Sequence, residues 1–466
     1  MKIKPFTFTK YLGVLEQNLN PDSESEAAIK TTDILPWFVS EKTGIIKKLS
    51  QLVCTSDEPE FFHFQAELCD PRRWLYSDAD NLGVWDSILT SAAYGSSTKK
   101  TEAIAKTIGE SIERFCLYAF DRRYFLNDSY GNLLESAVDV VDLDKFASPS
   151  EEEMSNNPGG YIPLTTLSPD QPIDWVKGLS LQTRKEKLIP ACFVYVSYRF
   201  NTPGELINYP ISTGTACSRS PEKAAVKGIL EVIERDAFML TWLNYMEAPR
   251  IVGLEDGKDS ELQASLKRFE KYSGDLQVYL LPTDLDAYVA LALVIYANGD
   301  DHALTAGISA SLNPEEAVTK AIQECAFVRQ RLNEYSRTMS EEELKNLSGV
   351  HYATPESLEK VKFLLETKNS VSLASLPNLD TSSDSKNLQN LLSSLESRGL
   401  EAITLNIGLE AFEKLGFWVY KTIIPGMQPL SQNGYWFLGG QRIYTLPITL
   451  GYKVPKQLNL EPHLWA

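Results

Sequence analysis

The feature of this 466-residue sequence that most constrains its fold is a segment that occurs three times. Each copy aligns with the others without gaps from an alanine onward, and a glutamate follows that alanine after seven residues. The alanine and glutamate pairs are Ala103 and Glu110, Ala224 and Glu231, and Ala317 and Glu324. Self-similarity of this kind indicates a repeated supersecondary unit. The chain is therefore expected to build three related loop-helix elements.

A loop of small residues precedes each copy and predicts where its helix begins. The three loops read "GSSTKKTEA", "GTACSRSPEKA" and "GISASLNPEEA". The runs Ser220-Pro221-Glu222 and Asn313-Pro314-Glu315 each combine a capping side chain, a proline at the first helical position and an acid in the first turn. The sequence thus predicts three helices that start alike.

Two copies carry a second glutamate and an arginine on the same helix face. The first copy has Glu110, Glu113 and Arg114, and the second has Glu231, Glu234 and Arg235. Side chains three or four residues apart on a helix have Cβ atoms ~5–6 Å apart, so both carboxylates of a pair face one small volume. The helix around Glu231 is apolar almost all round, which predicts that it is buried. Carboxylates crowded in such a place require a compensating positive charge.

Two interpretations of these glutamates remain open. In a single helix, the pattern is most simply a glutamate–arginine pair on a surface. Two matched copies that face one cleft would instead offer up to four carboxylates, a set that suits Mg²⁺ shared with the phosphates of a nucleotide. The arginines and the helix N-termini would then hold phosphate. In the third copy Phe327 replaces the second glutamate, so Glu324 and Arg329 are equally compatible with a functional and a structural role.

Charge and composition exclude several classes of function. The formal net charge is −17 and no window holds five or six Lys or Arg, so neither nucleic acid nor an anionic membrane surface is expected as a partner. No apolar run approaches the ~20 residues that cross a bilayer. Six cysteines without a Cys-x-x-Cys pair, and an N-terminus without a signal-peptide core, indicate free thiols in a cytoplasmic protein. Four isolated histidines argue against zinc, and the sequence has no P-loop motif.

Interleaved helical and strand patterns predict an α/β protein. The runs "LQVYLLP", "YVALALVIYA" and "QRIYTLPITLGY" are typical of strands. Polar stretches near 128–173 and 337–398 predict surface insertions. We expect an N-terminal segment over 1–60 that contacts substrate or a partner, a catalytic domain over 61–466, and a C-terminal tail over 453–466.

Long stretches of the sequence resemble one protein family. They include "AYGSSTKKTEAIAKTIGESIERFC", "STGTACSRSPEKAAVKGILEVIERDAFMLTW", "GISASLNPEEAVTKAIQECAFVR" and "LGGQRIYTLPITLGY", in this order. They are similar to the YcaO superfamily, and within it to the cyclodehydratases that form azolines in ribosomally made peptides. The resemblance implies a YcaO-like α/β fold with mixed sheets, in which three related loop-helix elements line a nucleotide cleft.

The resemblance also implies ATP and Mg²⁺ as ligands, together with the residues that bind them. Metal binding is implied for Glu110, Glu113, Glu231 and Glu234. Nucleotide contacts are implied for these four residues and for Arg114, Arg235, Glu324, Arg329, Ser97, Ser212 and Thr213. In such enzymes a Cys, Ser or Thr side chain of the substrate attacks the preceding carbonyl, ATP phosphorylates the resulting oxyanion, and loss of phosphate leaves a thiazoline or oxazoline.

Several partners follow from the same resemblance. The substrate is a ribosomal precursor peptide, an E1-like or leader-peptide-binding protein presents it, and a flavin-dependent dehydrogenase oxidises the azoline in some systems. We also expect an oligomer. Two alternatives stay open: backbone thioamidation with an external sulfur donor, and a catalytically silent subunit that binds nucleotide or peptide.

Three features depart from the family pattern. Many members have Gly-Lys-Gly where this chain has Gly95-Ser96-Ser97, and glutamine where it has Phe327. Members of the azoline subgroup commonly end in a proline-rich run placed in the active site, whereas this chain ends "NLEPHLWA". Pro462 and His463 match that run, and with the terminal Ala466 they are the candidate catalytic residues. A catalytic tail and a merely ordered C-terminus are both compatible with this ending.

Overall fold

The computed structural model is an α/β protein with mixed helices and largely antiparallel sheets, as predicted. It describes residues 38–55, 58–70, 92–136, 138–156, 164–196, 198, 200, 202–270, 272, 274–296, 303–340, 348–432 and 434–464. None of the helices in these ranges is long and apolar enough to cross a membrane.

The regular elements of the described chain are numbered here in chain order. The strands are β1 (Ile46–Leu52), β2 (Phe62–Leu68), β3 (Ala92–Ser97), β4 (Leu126–Ser129), β5 (Pro172–Ser180), β6 (Glu186–Pro190), β7 (Thr215–Ser218), β8 (Arg250–Val252), β9 (Asp275–Leu281), β10 (Tyr288–Ile295), β11 (Leu304–Ser311), β12 (Ser370–Ser372), β13 (Ile403–Asn406) and β14 (Trp418–Ile423). The helices are α1 (Lys100–Tyr118), α2 (Tyr130–Glu135), α3 (Glu151–Asn156), α4 (Pro221–Leu243), α5 (Ser260–Phe269), α6 (Pro314–Thr338), α7 (Lys362–Leu365), α8 (Asp384–Glu396), α9 (Glu410–Glu413) and α10 (Arg442–Thr449).

Three sheets organise the described residues. The first has the order β1-β2-β3, the second β11-β10-β9-β8-β12, and the third β4-β5-β13-β14-β7, with β6 also paired to β5. Neighbouring strands are antiparallel except β12, which lies parallel to β8. The strands β3, β7 and β11 lie at sheet edges, and each leads into one of the long helices α1, α4 and α6. The threefold segment of the sequence is thus an edge strand followed by a helix.

Two of these helices begin at the predicted caps. The Ser220 side chain accepts a hydrogen bond from the backbone N–H of Lys223 at 3.1 Å, and that of Asn313 accepts from Glu315 at 3.0 Å. A proline follows each cap inside the first turn, where its missing N–H is not needed. Helix α1 begins after Lys99, whose side chain makes no capping hydrogen bond. The predicted starts of α4 and α6 are therefore confirmed.

The three strand-helix units pack in a cycle. Helix α1 packs against its own strand β3 and against β7 of the next unit, α4 packs against β7 and β11, and α6 packs against β11 and β3. Helix and strand come close together: a Cβ atom at Gly95 would lie 2.2 Å from the carbonyl oxygen of Ala103, and one at Gly307 would lie 2.3 Å from that of Ala321. These distances leave room for glycine alone, so the glycines set how closely each helix lies on its strand.

Helix α4 lies in the core, as its apolar sequence predicted. Ile229, Ile233 and Phe238 are at most 1% exposed, and they join strands β9, β10 and β11 in one hydrophobic cluster. The helix also packs against β14 and α8. The acidic residues of α4 are therefore held on a rigid, buried element.

The strand predicted over "QRIYTLPITLGY" is wrong, because Arg442–Thr449 form the helix α10. Its buried residues Ile443, Leu446 and Pro447 have the three- and four-residue spacing of a helix face. Arg442 in its first turn donates to the carboxylate of Asp236 in α4 at 2.9 Å. The β propensity of Ile, Tyr and Thr is weaker than the burial of this face and its anchoring ion pair.

The predicted boundary at residue 60 does not coincide with a boundary between sheets. Strand β1 lies before residue 60 and pairs with β2 after it, so the first sheet spans that boundary. Residues 1–37 lie outside the described residues, and so does the contact with substrate or a partner expected of them. The polar stretches at 128–173 and 337–398 carry short elements, among them α2, α3 and α8.

His63 is a buried histidine at the junction between the first and third units. It lies on β2, is 0% exposed, and has ring centroids of Phe61 and Phe327 at 6.1 and 5.6 Å. Neither ring nitrogen has a hydrogen-bond partner among the described residues. Burial lowers the pKa of His63 to about 4. The folded protein therefore holds this imidazole neutral.

We predict that His63 makes the protein less stable in mild acid. The unfolded chain protonates this histidine below its ordinary pKa of 6.5, while the folded chain resists protonation until about pH 4, so the free energy of unfolding falls as the pH drops between these values. At about 1.4 kcal/mol per pH unit, the loss is about 3 kcal/mol. Urea unfolding at several pH values should show that His63→Leu lacks this loss. The exposed His351→Leu is the control and should keep the wild-type slope; three equal slopes would contradict the prediction.

Candidate functional site

A cleft of about 860 Å³ lies between the helices α1, α4 and α6. Its charged lining comes from all three copies of the repeated segment. The lining residues of the repeat that carry charge are Lys106, Glu110, Arg114, Lys223, Lys227, Glu231, Glu234, Arg235, Glu316, Lys320, Glu324 and Arg331. The fold thus gathers the three matched glutamates, which are far apart in the sequence, around one cavity.

Each matched glutamate accepts a hydrogen bond from the backbone beside its own strand. The acceptor and donor pairs are Glu110 and Tyr94 at 2.9 Å, Glu231 and Gly214 at 3.1 Å, and Glu324 and Ile308 at 2.6 Å. Edge strands present backbone N–H groups that have no partner strand. In each unit, the glutamate at this position of the repeat therefore supplies the acceptor for an N–H group at the edge of the sheet.

The second glutamate of a copy reaches across to the next unit of the cycle. The carboxylate of Glu113 in α1 accepts from the backbone N–H of Cys217 in β7. That of Glu234 in α4 accepts from Ala310 in β11 at 2.8 Å. These two glutamates bind neighbouring units together, which the sequence pattern alone did not predict.

At the third junction of the cycle, aromatic contacts take the place of the carboxylate bridge. Phe327 occupies the position of the second glutamate, lines the cleft, and has its ring centroid 5.1 Å from that of Tyr94 in β3 and 5.6 Å from that of His63. Arg331 lies over the Tyr94 ring at 4.8 Å. The third copy therefore has the same backbone position as the other two but carries a phenyl ring where they carry a carboxylate. One end of the cleft is aromatic as a result.

Carboxylates crowd the inner wall of the cleft. Arg235 contacts Glu231 at 3.2 Å and Glu234 at 2.9 Å, so one guanidinium serves two acids. Burial raises the pKa of Glu234 to about 8, and repulsion from Glu324 adds to the shift against the attraction of Arg235. Burial, followed by repulsion from Glu231, raises the pKa of Glu113 well above its usual range. Burial and mutual repulsion thus favour the protonated forms of Glu113 and Glu234 until a cation binds beside them.

This wall fits a cation that is carried by a phosphate ligand. In the part of the chain that the structure describes, no group of three or more His, Cys, Asp or Glu could hold a metal ion by itself. Mg²⁺ usually takes one or two carboxylates and completes its shell with water and phosphate oxygens. A bound cation also relieves repulsion among carboxylates. The assignment of Glu110, Glu113, Glu231 and Glu234 as its ligands stays a prediction.

A family model covers most of the chain, including every copy of the repeat. The model of the YcaO cyclodehydratases, which are described as ATP- and Mg²⁺-binding, matches residues 94–428. The chain belongs to the YcaO cyclodehydratase family. ATP and Mg²⁺ are the ligands of this family, which confirms the cofactors predicted from the sequence.

Solved structures share the YcaO fold at low sequence identity. A heterocyclase in complex with substrate and cofactor matches with a TM-score of 0.76 and 18% identity, over 93% of this chain and 56% of its own. YcaO from Methanopyrus kandleri bound with AMPPCP and Mg²⁺ matches with 0.58 and 19%, over 82% and 86%. The E. coli microcin synthetase McbBCD complex matches with 0.54 and 14%, over 81% and 88%. This YcaO chain thus spans little more than half of the heterocyclase chain.

Five predicted nucleotide ligands do not line the cleft among the described residues. They are Ser97, Glu113, Ser212, Thr213 and Arg329, of which Glu113 lines an adjoining cavity of about 560 Å³. Ser97 is buried and donates to the carboxylate of Glu261 at 3.0 Å. Arg329 is buried over the ring of Tyr296 at 4.0 Å. The contacts of Ser97 and Arg329 support the packing of the units. A role in nucleotide binding stays a prediction for all five residues.

The C-terminal tail of this YcaO protein packs on α4 beyond the glutamates. The Tyr352 hydroxyl donates to the carbonyl oxygen of Pro462, and the ring of His463 lies 5.7 Å from that of Phe238. Neither Pro462 nor His463 lines the described cleft. Ala466 lies outside the described residues. The tail is ordered as far as it is described, and its catalytic role stays a prediction.

Three lysines of the cleft were not predicted as site residues. Lys106, Lys227 and Lys320 each stand three residues after the alanine that opens their copy. The alignment that found the glutamates therefore also contained these lysines. Lysines at this spacing are common on helix surfaces, and only the fold shows that all three face the same cavity.

A buried lysine lies behind the glutamates. Lys421 in β14 is 1% exposed, and its ammonium donates to the carbonyl oxygens of Ile211 and Thr213 at 2.6 and 2.7 Å. Burial lowers its pKa to about 8, while the charges of Glu231 and Glu113 oppose that shift. Lys421 thus holds the loop before β7 and supplies positive charge to both acids.

We predict that Lys421→Met destabilises the protein by about 2–6 kcal/mol, because it leaves the carbonyl oxygens of Ile211 and Thr213 without their donor, at about 1–3 kcal/mol each. Urea unfolding at pH 7.5 measures the change. The exposed Lys414→Met is the matched control, since a surface ion pair contributes about 0–1 kcal/mol. A loss at Lys421 as small as that of the control would contradict the role of Lys421.

Proposed function

We propose that this YcaO protein is an ATP-dependent cyclodehydratase that converts Cys, Ser or Thr residues of a ribosomal precursor peptide into thiazolines or oxazolines. The observation that carries the proposal is that Glu110 of α1 meets Glu231 and Glu234 of α4 on one cleft of about 860 Å³, with Glu113 in the adjoining cavity. These helices lie in the residues that match the family model. The fold that the chain shares with a heterocyclase supports the same reading.

The proposed chemistry solves a leaving-group problem. The substrate thiol or hydroxyl attacks the preceding amide carbonyl, and the amide oxygen becomes an oxyanion that is a poor leaving group. That oxygen takes the terminal phosphoryl group of ATP, which leaves ADP, and it then departs as inorganic phosphate while the ring C=N bond forms and the nitrogen loses its proton. Mg²⁺, when bound, neutralises charge on the transferred phosphoryl group.

The residues of the cleft would position the reactants rather than react with them. Glu110, Glu113, Glu231 and Glu234 would hold the magnesium nucleotide. Ion pairs at 2.9–3.2 Å with Arg114 and Arg235 orient Glu110, Glu231 and Glu234, and the backbone N–H of Cys217 orients Glu113. All six side chains lie on two helices anchored to sheet edges, so their geometry is fixed before substrate binds. Pre-organised charge of this kind lowers the barrier because little reorganisation remains.

The partners of the reaction are part of the proposal. A precursor peptide is the substrate, and an E1-like or leader-peptide-binding protein presents it. The E. coli microcin synthetase that shares the fold is a complex named McbBCD, which favours such an assembly. A flavin-dependent dehydrogenase that oxidises the azoline, and assembly of the chain as an oligomer, complete the expected system.

Mass spectrometry of the product tests the reaction. The protein is incubated with ATP, Mg²⁺, the presenting partner and a precursor peptide rich in Cys, Ser and Thr. We expect release of phosphate and loss of one water mass for each ring formed. An exchange of oxygen for sulfur with an added sulfur donor would indicate thioamidation instead. Nucleotide binding without either product would indicate a silent subunit.

We predict that Glu231→Gln and Glu234→Gln each weaken binding of AMPPCP in the presence of Mg²⁺ by at least tenfold. Glutamine keeps an oxygen that can accept the backbone N–H, but unlike glutamate it cannot ionise when the cation binds. Isothermal titration with and without Mg²⁺ measures the effect, and the exposed Glu255→Gln is the matched control. Unchanged affinity and unchanged Mg²⁺ dependence in both variants would rule out the metal assignment.

A further inference from the structure

A second cavity, of about 560 Å³, adjoins the cleft between α1, α4 and α6. Its walls come mainly from α1, from strand β7 and from the first half of α4. Glu113 lines this second cavity and Glu234 lines the cleft, while the residues that line both spaces are Lys106, Glu110, Lys223, Lys227 and Glu231. The glutamates proposed to hold the cation therefore stand where the two spaces meet.

Small side chains and one aromatic ring line another part of the second cavity. Ala105 and Gly109 belong to α1, Ala216 belongs to β7, and Phe417 immediately precedes β14. In the described part of the chain, none of these four residues lines the cleft. Outside its own stretch of helix, a Cβ atom at Gly109 would meet no heavy atom within 4 Å. The glycine therefore borders open space that a larger side chain would fill.

The second cavity reaches the protein surface. Arg219 and Lys223 line it, and both are exposed. The guanidinium of Arg219 lies 4.4 Å from the centroid of the Phe417 ring, so a cation and an aromatic ring flank the entrance. The volume of the cavity falls within the range of about 300–1,000 Å³ that is typical of ligand sites. A ligand that enters beside Arg219 would reach Glu113 without filling the cleft.

Thr215 provides this cavity with a polar group that the protein does not use. It lies on β7, lines the second cavity and is 2% exposed. Its backbone N–H donates to the carbonyl oxygen of Ser212 at 3.0 Å, but its hydroxyl has no hydrogen-bond partner among the described residues. Buried hydroxyl groups in native proteins are nearly always paired, because an unpaired one loses its hydrogen bond to water without replacement. Thr215 thus indicates a polar ligand.

The proposed reaction requires a place for a second reactant. The amide oxygen of the peptide must come within reach of the terminal phosphoryl group while the nucleotide fills the cleft. The second cavity shares Glu110 and Glu231 with the cleft, so a group bound there lies beside the proposed magnesium nucleotide. A peptide backbone is narrow and carries both donors and acceptors. It therefore matches walls of alanine and glycine beside a threonine hydroxyl, which can donate and accept.

We propose that the second cavity holds the reacting segment of the peptide substrate, that is, the Cys, Ser or Thr residue and the residue before it. This inference rests on the proposed function, in which the cleft holds the nucleotide. Gly109 leaves room for the segment, and the hydroxyl of Thr215 forms a hydrogen bond with its backbone. Changes at these two residues therefore alter peptide binding and leave nucleotide binding intact.

A blocked dipeptide tests this site directly. N-acetyl-Gly-Cys-amide contains the reacting side chain and the amide before it, and it is uncharged near neutral pH, so attraction to the lysines cannot account for its binding. Saturation-transfer NMR with AMPPCP and Mg²⁺ present measures its Kd. Gly109→Leu should weaken binding at least tenfold by filling the cavity, and Gly109→Ala should weaken it less. Thr215→Val should weaken it about fivefold, the value of one hydrogen bond.

Loss of folding would not explain these effects. Leucine and alanine are better helix formers than glycine, and Thr215→Val removes a buried hydroxyl that has no partner among the described residues. All three variants should therefore unfold at or above the temperature at which the wild type unfolds. Thr101→Leu, at an exposed position of α1, is the matched control and should bind the dipeptide like the wild type. AMPPCP affinity by isothermal titration should change less than threefold in every variant.

The inference and the proposed function fail in different ways. If Gly109→Leu binds the dipeptide like the wild type, or if the wild type does not bind it, the peptide site is wrong, while ring formation in a precursor peptide would still support the function. If Gly109→Leu loses AMPPCP together with the dipeptide, the second cavity belongs to the nucleotide site and the inference is wrong. If the dipeptide binds as expected but the wild type forms no ring in a precursor peptide, the peptide site stands and the cyclodehydratase function falls.

Discussion

A glutamate carboxylate that accepts a backbone N–H at the edge of a sheet is the interaction on which this structure depends. Glu110, Glu231 and Glu324 make it within their own units. Glu113 and Glu234 make it across to the next unit. A hydrogen bond to a charged acceptor contributes about 1.5–3 kcal/mol, and an unpaired buried N–H costs a similar amount. These bonds let three sheets meet at their edges without pairing strand to strand.

The same interaction explains how the cleft can be both rigid and acidic. Glu110, Glu231 and Glu234 each accept a backbone N–H with one oxygen and contact an arginine with the other, so their positions are fixed beside the cleft. Arg235 and the buried Lys421 balance part of that charge. Burial is the main cause of the raised pKa of Glu234, about 8, and repulsion from Glu324 and Glu231 adds to it. A structural device and a cation-binding surface are thus built from the same side chains.

The cycle of three units is broken at one junction. Phe327, Tyr94 and His63 replace the carboxylate bridge by aromatic packing. That end of the cleft is lined by aromatic rings, with Arg331 over the Tyr94 ring, whereas carboxylates line the opposite walls. An asymmetric ligand such as a nucleotide, with a flat base and a charged phosphate end, matches this difference better than a symmetric one.

The sequence by itself determined the three repeated helices, their starts at Ser220 and Asn313, the burial of α4 and the glutamates on one face, because capping and helical periodicity are local properties. It could not decide the helix at Arg442–Thr449, since burial of one face overrode strand propensity there. Only the tertiary structure showed that the carboxylates saturate strand edges, that Ser97 and Arg329 point into packing contacts, and that Lys106, Lys227 and Lys320 converge. Which side chains meet across the cycle depends on the docking of three sheets, and no local pattern encodes that docking.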